Sequence, residues 1–365
     1  MSQSTLPTEI KMASRSRLGI RAFLHRGAIL SGMDEIIDSV PMGRTGLEAS
    51  ELAFGTWRFG RETAEGNLEI DRERAHELLD TYESAGGRSI DTADVYGGGD
   101  SEQWIGEWLD DRDREDFVIA SKIYWPTRED DPNGNGLSRK HLRRQLDLML
   151  DRLGTDYLDV LYIHRWDENT PARELMRTLD GFVQDGKVNY LGASAFVPNT
   201  WRVAEANELA RQYGWEPFTV TQPRYNLVDR EIEGEYLAFC SEHDLAVFPW
   251  SPLAQGFLTG KYERGAGTPE DSTASDTDDW ADRYLTEENF ETLDVVREVA
   301  AEVGASEAQV ALAYQIEHPD LTAPIVGART VDQLEENLRA ATVELGDERF
   351  ERLDESGDGP FADMA

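Results

Sequence analysis

The sequence predicts an α/β fold, a parallel (β/α)8 or TIM barrel, from three observations. Eight short apolar or β-branched runs alternate with eight segments of helical character along the 365 residues. Several runs, Leu158–Ile163 above all, are apolar almost without interruption, as strands buried on both faces must be. The runs also end on polar or ionisable residues, and chemistry in such barrels sits at the C-terminal ends of the strands.

In chain order, Val40–Leu52, with Gly43 and Gly46, reads as a small N-terminal hairpin ahead of the barrel. The predicted barrel strands are Glu51–Gly55, Arg88–Ile90, Phe117–Ser121, Leu158–His164, Val188–Ala193, Phe218–Gln222, Leu245–Trp250 and Ala323–Val326. The predicted helices are 72–85, 101–109, 138–152, 171–184, 199–213, 230–242, 286–303 with 307–317, and 331–340. Ser101 with Glu102, Ser138, and Thr170 with Pro171 read as N-cap or N1 residues. Gly86, Gly154, Gly186, Gly214 and Gly304 fall near helix ends, where a left-handed residue is wanted. After strand seven, residues 254–285 form a long polar loop, a length that compact domains reserve largely for function.

Residues 34–365 read as one barrel domain. Residues 1–33 differ, with Lys11, Arg15, Arg17, Arg21 and Arg26 against a single acid, Glu9. They read as a disordered extension or as a start assigned too early, Met33 being the working start. Arg21, His25 and Arg26 interrupt any apolar signal core.

The chain carries 72 Asp+Glu against 36 Lys+Arg, a formal net charge of −36. Such a surface repels phosphate backbones and anionic bilayers, so neither nucleic acid nor membrane is an expected partner. Disorder is opposed by 9 Trp, 12 Tyr and 13 Phe set in regular apolar blocks. The basic residues are 31 Arg and only 5 Lys. Acid excess with scarce lysine resembles the proteins of organisms that keep molar salt in the cytoplasm, where the Debye length falls to about 3 Å. Cys240 is the only cysteine, which excludes an intrachain disulfide, points to a reducing cytoplasm and reads as a packing residue. No apolar run reaches membrane-spanning length. His25, His76, His141, His164, His243 and His318 are too scattered to suggest a metal site, and none is expected. No residue pattern specifies an oligomeric state.

At the strand ends, Asp91, Tyr96, Lys122 and His164 have a joint physical logic. A tyrosine titrates near 10, too high for easy proton delivery at neutral pH. A neighbouring ammonium favours the phenolate, and a carboxylate keeps that ammonium charged and aimed. An imidazole nearby can orient a carbonyl oxygen. Together they form a general acid that protonates an oxygen as charge develops on it, which suits carbonyl reduction by hydride. Arg329 stands before a helix start at which Thr330 and Gln333 suit a capping box, an anion site that fits a ribose 2′-phosphate. There is no G-x-G-x-x-G opening a βαβ unit and no Tyr-x-x-x-Lys, so the dinucleotide-binding fold and the chemistry of short-chain dehydrogenases are unsupported.

Several motifs in order resemble the aldo-keto reductase family: Ile90 to Gly97, Ala120-Ser121-Lys122, Tyr157-Leu158-Asp159 through His164, Gly186-Lys187-Val188 to Ser194, Gln222, Trp250 to Ala254, Gly260-Lys261-Tyr262, and Pro324 to Thr330. The Trp-Ser-Pro-Leu block is similar to the aryl-alcohol-dehydrogenase-like and potassium-channel β-subunit-like branch. The resemblance implies NADP(H), and possible use of NAD(H), with a small-molecule carbonyl or alcohol substrate. It implies Tyr96 as proton donor, Lys122 and Asp91 as its tuning pair, and His164 as the residue that orients the carbonyl. It further implies Ser194 and Gln222 at the nicotinamide carboxamide, Trp250 on the ring, and Thr56 and Trp57 at the cofactor and substrate rim. Ser251, Leu253 and Lys261 would meet the pyrophosphate, and Gly327, Arg329, Gln333, Glu336 and Asn337 the adenosine end. One departure is Ala195, where many members carry an Asn that also holds the carboxamide. The alternative is a cofactor-binding regulatory subunit of the channel β-subunit type; such subunits tend to lack a histidine at the position of His164.

The charge balance yields a first test. Unscreened self-repulsion should lower stability in dilute buffer, so thermal melts from about 0.1 to about 3 M KCl should show a rising Tm. A flat Tm would remove the high-salt interpretation.

Overall fold

The computed structural model describes residues 35–63, 66–128, 130–194, 199–265 and 280–357. The N-terminal segment 1–33 and Ala195 lie outside the described residues. A hairpin of β1 (Ser39–Pro41) and β2 (Glu48–Ser50), paired antiparallel, precedes the barrel. Eight parallel strands follow: β3 (Ala53–Gly55), β4 (Ser89–Asp91), β5 (Val118–Ile123), β6 (Leu158–Ile163), β7 (Val188–Ser194), β8 (Phe218–Gln222), β9 (Ala246–Val247) and β10 (Ile325–Val326). They lie in chain order, with β10 returning beside β3. The gap between β9 and β10 is bridged by the Thr322 amide donating to Val247 O at 2.8 Å and the Ile325 amide to Pro249 O at 2.9 Å. The sheet therefore curls into the (β/α)8 barrel that the alternating pattern predicts.

One helix or more follows each strand: α1 (Arg72–Ser84), α2 (Asp100–Leu109), α3 (Arg139–Leu153), α4 (Ala172–Gln184), α5 (Thr200–Tyr213), α6 (Glu235–Glu242), then α7 (Trp280–Tyr284), α8 (Glu287–Val303) and α9 (Glu307–Glu317), and finally α10 (Val331–Leu338) and α11 (Gly346–Asp354). Local chemistry sets their ends. The Asp71 carboxylate caps α1 through the Arg74 amide at 2.9 Å, and Ser138 caps α3 through His141. The glycines expected at helix ends all have positive φ. On α3, Leu142, Leu146, Met149 and Leu153 recur at helical spacing and are buried against the sheet, each such side chain stabilising by about 1.5–3 kcal/mol. All six residues of β6 are buried, as its nearly continuous apolar run requires, with Asp159 accepting from Arg114 and from the Ile119 amide.

Two cores result. The larger lies between the strands and the helices. The smaller fills the barrel with Val160, Tyr162, Val220 and Phe248, and is closed below by Met42 and Ala49 of the hairpin. Tyr162 needs its register partner to be Gly192, because a Cβ there would come within 2.4 Å of the ring.

Several local expectations change. The seventh strand is shorter than Leu245–Trp250, because Pro249 has no amide for a ladder; Trp250 keeps only an isolated bridge to Arg224. Ser101 and Glu102 do not cap α2. They lie inside it, fully buried, and their polar groups serve the site described below. Pro171, not Thr170, precedes α4, and the Thr170 hydroxyl donates instead to Asp167 at 2.6 Å. The sixth helix starts at Glu235 rather than at 230, since Arg230 is drawn into ion pairs with Glu233 and Asp354. Helix α11 has no counterpart among the predicted elements. Among the described residues no helix is long and apolar enough to cross a membrane.

Candidate active site

Strand register places the tips of β3 to β8 around one mouth. Gly55 pairs with Asp91, Asp91 with Ala120, Lys122 with Tyr162, and Ser194 with Gln222. Tyr96 follows β4 and is succeeded by three glycines, all at positive φ. This turn requires them: a Cβ on Gly97 would lie 2.5 Å from Phe59 O.

Lys122 is buried and donates to Asp91 Oδ2 at 2.5 Å, to Thr92 O at 2.8 Å and to Tyr96 Oη at 3.2 Å. Burial alone would strip its charge, but Asp91 and Tyr96 reverse this and hold the ammonium above its ordinary value. The other Asp91 oxygen accepts from Gln222 Nε2 at 2.8 Å. The His164 ring stands 6.1 Å from that of Tyr96, at 74°. Burial first, then the fields of Lys122 and Arg165, hold its imidazole down at about 3. His164 is therefore neutral at physiological pH, and its buried Nδ1 has no partner among the described residues.

Tyr96 departs from the sequence-based expectation of a lowered value. Burial pushes the phenol up more than Lys122 pulls it down, and Asp91 adds to the rise. The hydroxyl thus stays protonated through neutral pH, able to donate a proton while the adjacent ammonium meets the charge left behind.

These groups floor a cavity of about 1480 Å³, larger than a drug-sized ligand needs. Asp91, Tyr96 and His164 line it, and Lys122 lies beneath. Trp57, Ser194, Gln222 and Trp250 line the wall nearest the strand tips, while Thr56 is wholly buried under them. Ser251, Leu253 and Lys261 follow along one side. Gly327, Arg329, Gln333, Glu336 and Asn337, which follow β10, line it as well. Sequence separations of up to about 280 residues thus converge on one cleft, as strand-tip placement implies.

The capping box expected at α10 forms only in part. The Thr330 hydroxyl accepts from the Gln333 amide at 3.2 Å, but the Gln333 side chain accepts from Arg329 N at 3.0 Å, one residue early. Two amides at this helix start are therefore already satisfied. The reciprocal box occurs instead at α9, between Ser306 and Gln309.

Other site features had no sequence signal. Ser251, Ala254 and Gln255 hold positive φ although none is glycine, a strained backbone of the sort that marks ligand clamps. The Ser251 hydroxyl is buried with no hydrogen-bond partner among the described residues, and Ser251 lines the cleft. Under Tyr96, the Ser101 hydroxyl meets those of Thr56 and Thr92, each at 2.8 Å. Glu102 accepts from Ser121 at 2.6 Å and from Arg152 at 2.8 and 2.5 Å, pinning α2 to α3 and β5. Asp94 is buried with neither oxygen partnered among the described residues; burial, then Glu102, push its carboxyl well above the usual range.

Two further groups carry no chemistry here. Among the described residues, Glu233, His318 and Asp354 are the one set close enough to suggest a metal, but Arg230 donates to both Glu233 oxygens and to Asp354 and supplies the positive charge. Cys240 is buried, its thiol pushed up to about 12, as a packing residue would be.

Sequence comparison agrees with this geometry. The profile of the aldo/keto reductase family matches residues 51–358. A probable voltage-gated potassium channel subunit beta of Oryza sativa subsp. japonica is 35% identical over 308 residues, covering 83% of this chain and 90% of the relative. A norsolorinic acid reductase of Emericella nidulans is 34% identical, covering 85% and 79%. An uncharacterized oxidoreductase of Bacillus subtilis is 35% identical, covering 87% and 95%.

The depressed His164 value predicts a titration. The unfolded chain takes up a proton near 6.5 that the folded site refuses until about 3, so this residue lowers stability as pH falls through that window. By NMR of labelled histidine, the His164 ring should keep its neutral-form shifts from pH 8 to about pH 5. A protonation step near 6.5 would contradict its burial.

Proposed function

The chain belongs to the aldo/keto reductase family, and on that premise we propose that it reduces aldehydes or ketones to alcohols with NADP(H), Tyr96 being the general acid. Membership makes it an oxidoreductase that uses a nicotinamide cofactor and acts on small-molecule carbonyl compounds. The observation that carries the finer assignment is the buried Asp91–Lys122–Tyr96 chain, opening beside a neutral His164 at the floor of the cleft.

The residues present suit a dinucleotide. The cleft has room for one together with a substrate, the partnerless Ser251 hydroxyl lies within it, and Trp250 offers a ring face. Lys261, Arg58 and Arg329 crowd one another: burial first, then the fields of Arg329 and Arg58, pull the Lys261 ammonium below its ordinary value. Three cations held together are stabilised by a polyanion. When bound, the nicotinamide supplies the hydride.

The protein's part is positioning and proton transfer. His164, neutral, donates a hydrogen bond to the carbonyl oxygen and fixes it beside Tyr96. As charge develops on that oxygen, Tyr96 gives it the phenolic proton. The carbonyl carbon has then gained hydride, the oxygen a proton, and the phenolate 3.2 Å from Lys122 Nζ is stabilised until solvent reprotonates it. Gln222 ties Asp91 to the cofactor wall, so the acid and the nicotinamide pocket share one support.

Similarity to channel subunits keeps the regulatory alternative in view, and turnover separates the two. Tyr96→Phe should lose more than tenfold in kcat for an aldehyde while still binding NADPH by fluorescence titration, a loss above about 1.4 kcal/mol. Retained turnover would remove the proton-donor role.

Cofactor choice gives a second test. NADPH carries a ribose phosphate that NADH lacks, and a charge-assisted contact of this kind is worth about 1.5–3 kcal/mol. Because two amides at α10 are already capped, the lower end applies, a preference of about tenfold. Arg329→Ala should reduce it, read as kcat/KM for both cofactors. Equal use of NADH by the unaltered protein would show that Arg329 does not sense the phosphate.

A further inference from the structure

The cleft inverts the charge balance of the chain that forms it. Its lining holds Arg58, Arg61, Arg165, Arg224, Lys261 and Arg329 against only Asp91, Glu231 and Glu336, whereas the whole chain has 36 bases to 72 acids. Asp91 is already neutralised by Lys122. The six cations fall into two sets. Arg58, Lys261 and Arg329 share one field and belong to the phosphate end. Arg61 shares Glu69 with Arg58.

At the reacting end the situation differs. Arg224 has a carboxylate, Asp229, at 3.5 Å. Arg165 follows His164 directly at the tip of β6, is exposed, lines the cleft, and has no carboxylate within ion-pair distance among the described residues. Its guanidinium carbon stands 5.5 Å from the centre of the Trp125 ring. That ring lies 6.1 Å from His164, which lies 6.1 Å from Tyr96. Guanidinium, indole, imidazole and phenol thus run in sequence from the rim to the reacting oxygen. Trp125 is 36% exposed and lines the cleft.

Resting on the reductase assignment, we propose that the carbonyl substrate is an anion whose negative group is held by Arg165, with its flat body against Trp125. An aromatic or conjugated aldehyde or ketone bearing a carboxylate has the chemistry and the reach. A guanidinium matches a carboxylate through paired N–H donors and sits over an indole without losing that fork. In a cleft walled by low-dielectric aromatic rings its field is focused, and the acidic exterior would otherwise repel such a substrate.

The test compares 4-carboxybenzaldehyde with methyl 4-formylbenzoate, a neutral ester of similar shape whose aldehyde is the more electrophilic, so that an advantage of the acid is not electronic, in the unaltered protein and in Arg165→Gln. The acid should show a kcat/KM advantage of about tenfold, shrinking between about 0.5 and about 3 M KCl and falling to within about threefold in the variant. Equal values for the two aldehydes, or an advantage that Arg165→Gln leaves intact, would overturn the proposal. A parallel equilibrium titration needs no turnover: benzoate against methyl benzoate, with NADP+ present, read by tryptophan fluorescence. Tighter benzoate binding that Arg165→Gln abolishes supports the anion subsite even if neither aldehyde is reduced, an outcome that would count against the reductase assignment alone. Equal binding of benzoate and its ester overturns the subsite.

Discussion

The site depends on keeping one ammonium charged where there is almost no water. Lys122 is 1% exposed, and an isolated charge at that depth would cost many kcal/mol. It is tolerated because Asp91, Thr92 O and Tyr96 Oη converge on it from the neighbouring strand tip and the turn beyond. Each of these depends on something further out. Asp91 is held by Gln222 from β8, across the barrel mouth, and Tyr96 by a glycine turn packed on Phe59 and Gly60. Breaking a buried pair by removing one partner typically costs about 3–5 kcal/mol, so register errors between β4, β5 and β8 are strongly disfavoured. The buried charge at the centre of the site therefore also selects among barrel registers.

Burial acts in opposite directions on the groups around that ammonium. It holds His164 in the neutral form and keeps the Tyr96 phenol protonated, while Asp91 preserves the charge on Lys122. The result is a protonated phenol, a neutral imidazole and a fixed positive charge side by side. The expectation that the lysine would lower the tyrosine underestimated desolvation, which no sequence pattern reports. On the proposed assignment, the lysine's field acts on the phenolate that proton transfer would create.

What was legible in the sequence follows from range. Alternating apolar runs and helical segments repeat over ten to fifteen residues, and they defined the barrel and placed Asp91, Lys122 and His164 at strand tips. Ser138 and the helix-ending glycines act within three or four residues, and they too were legible. Ser101 and Glu102 resemble a local cap, yet their partners Thr56 and Arg152 lie 45 and 50 residues away, so only the fold reveals their role. The Gln333 side chain missed its box by one residue because Arg329 N competed for it. Arg165 and Trp125 are unremarkable in sequence and become a pair only when β5 and β6 lie side by side.

The remaining constraint is the exterior. A chain of net charge −36 repels anions, yet its cleft is lined by more cations than acids, and the nicotinamide dinucleotides are themselves polyanions. Salt resolves the conflict through distance. At about 1 M the Debye length is about 3 Å, so surface carboxylates farther away scarcely act on a ligand, while direct contacts inside a partly dry cleft are screened much less. Rising salt therefore removes the long-range repulsion sooner than the short-range attraction. A guanidinium stacked on an indole and a crowded trio of cations belong to the second class, because they act at contact distance. An acidic shell and a cationic cleft are compatible in one molecule on this ground: different lengths govern them, and the solvent sets which one a ligand feels.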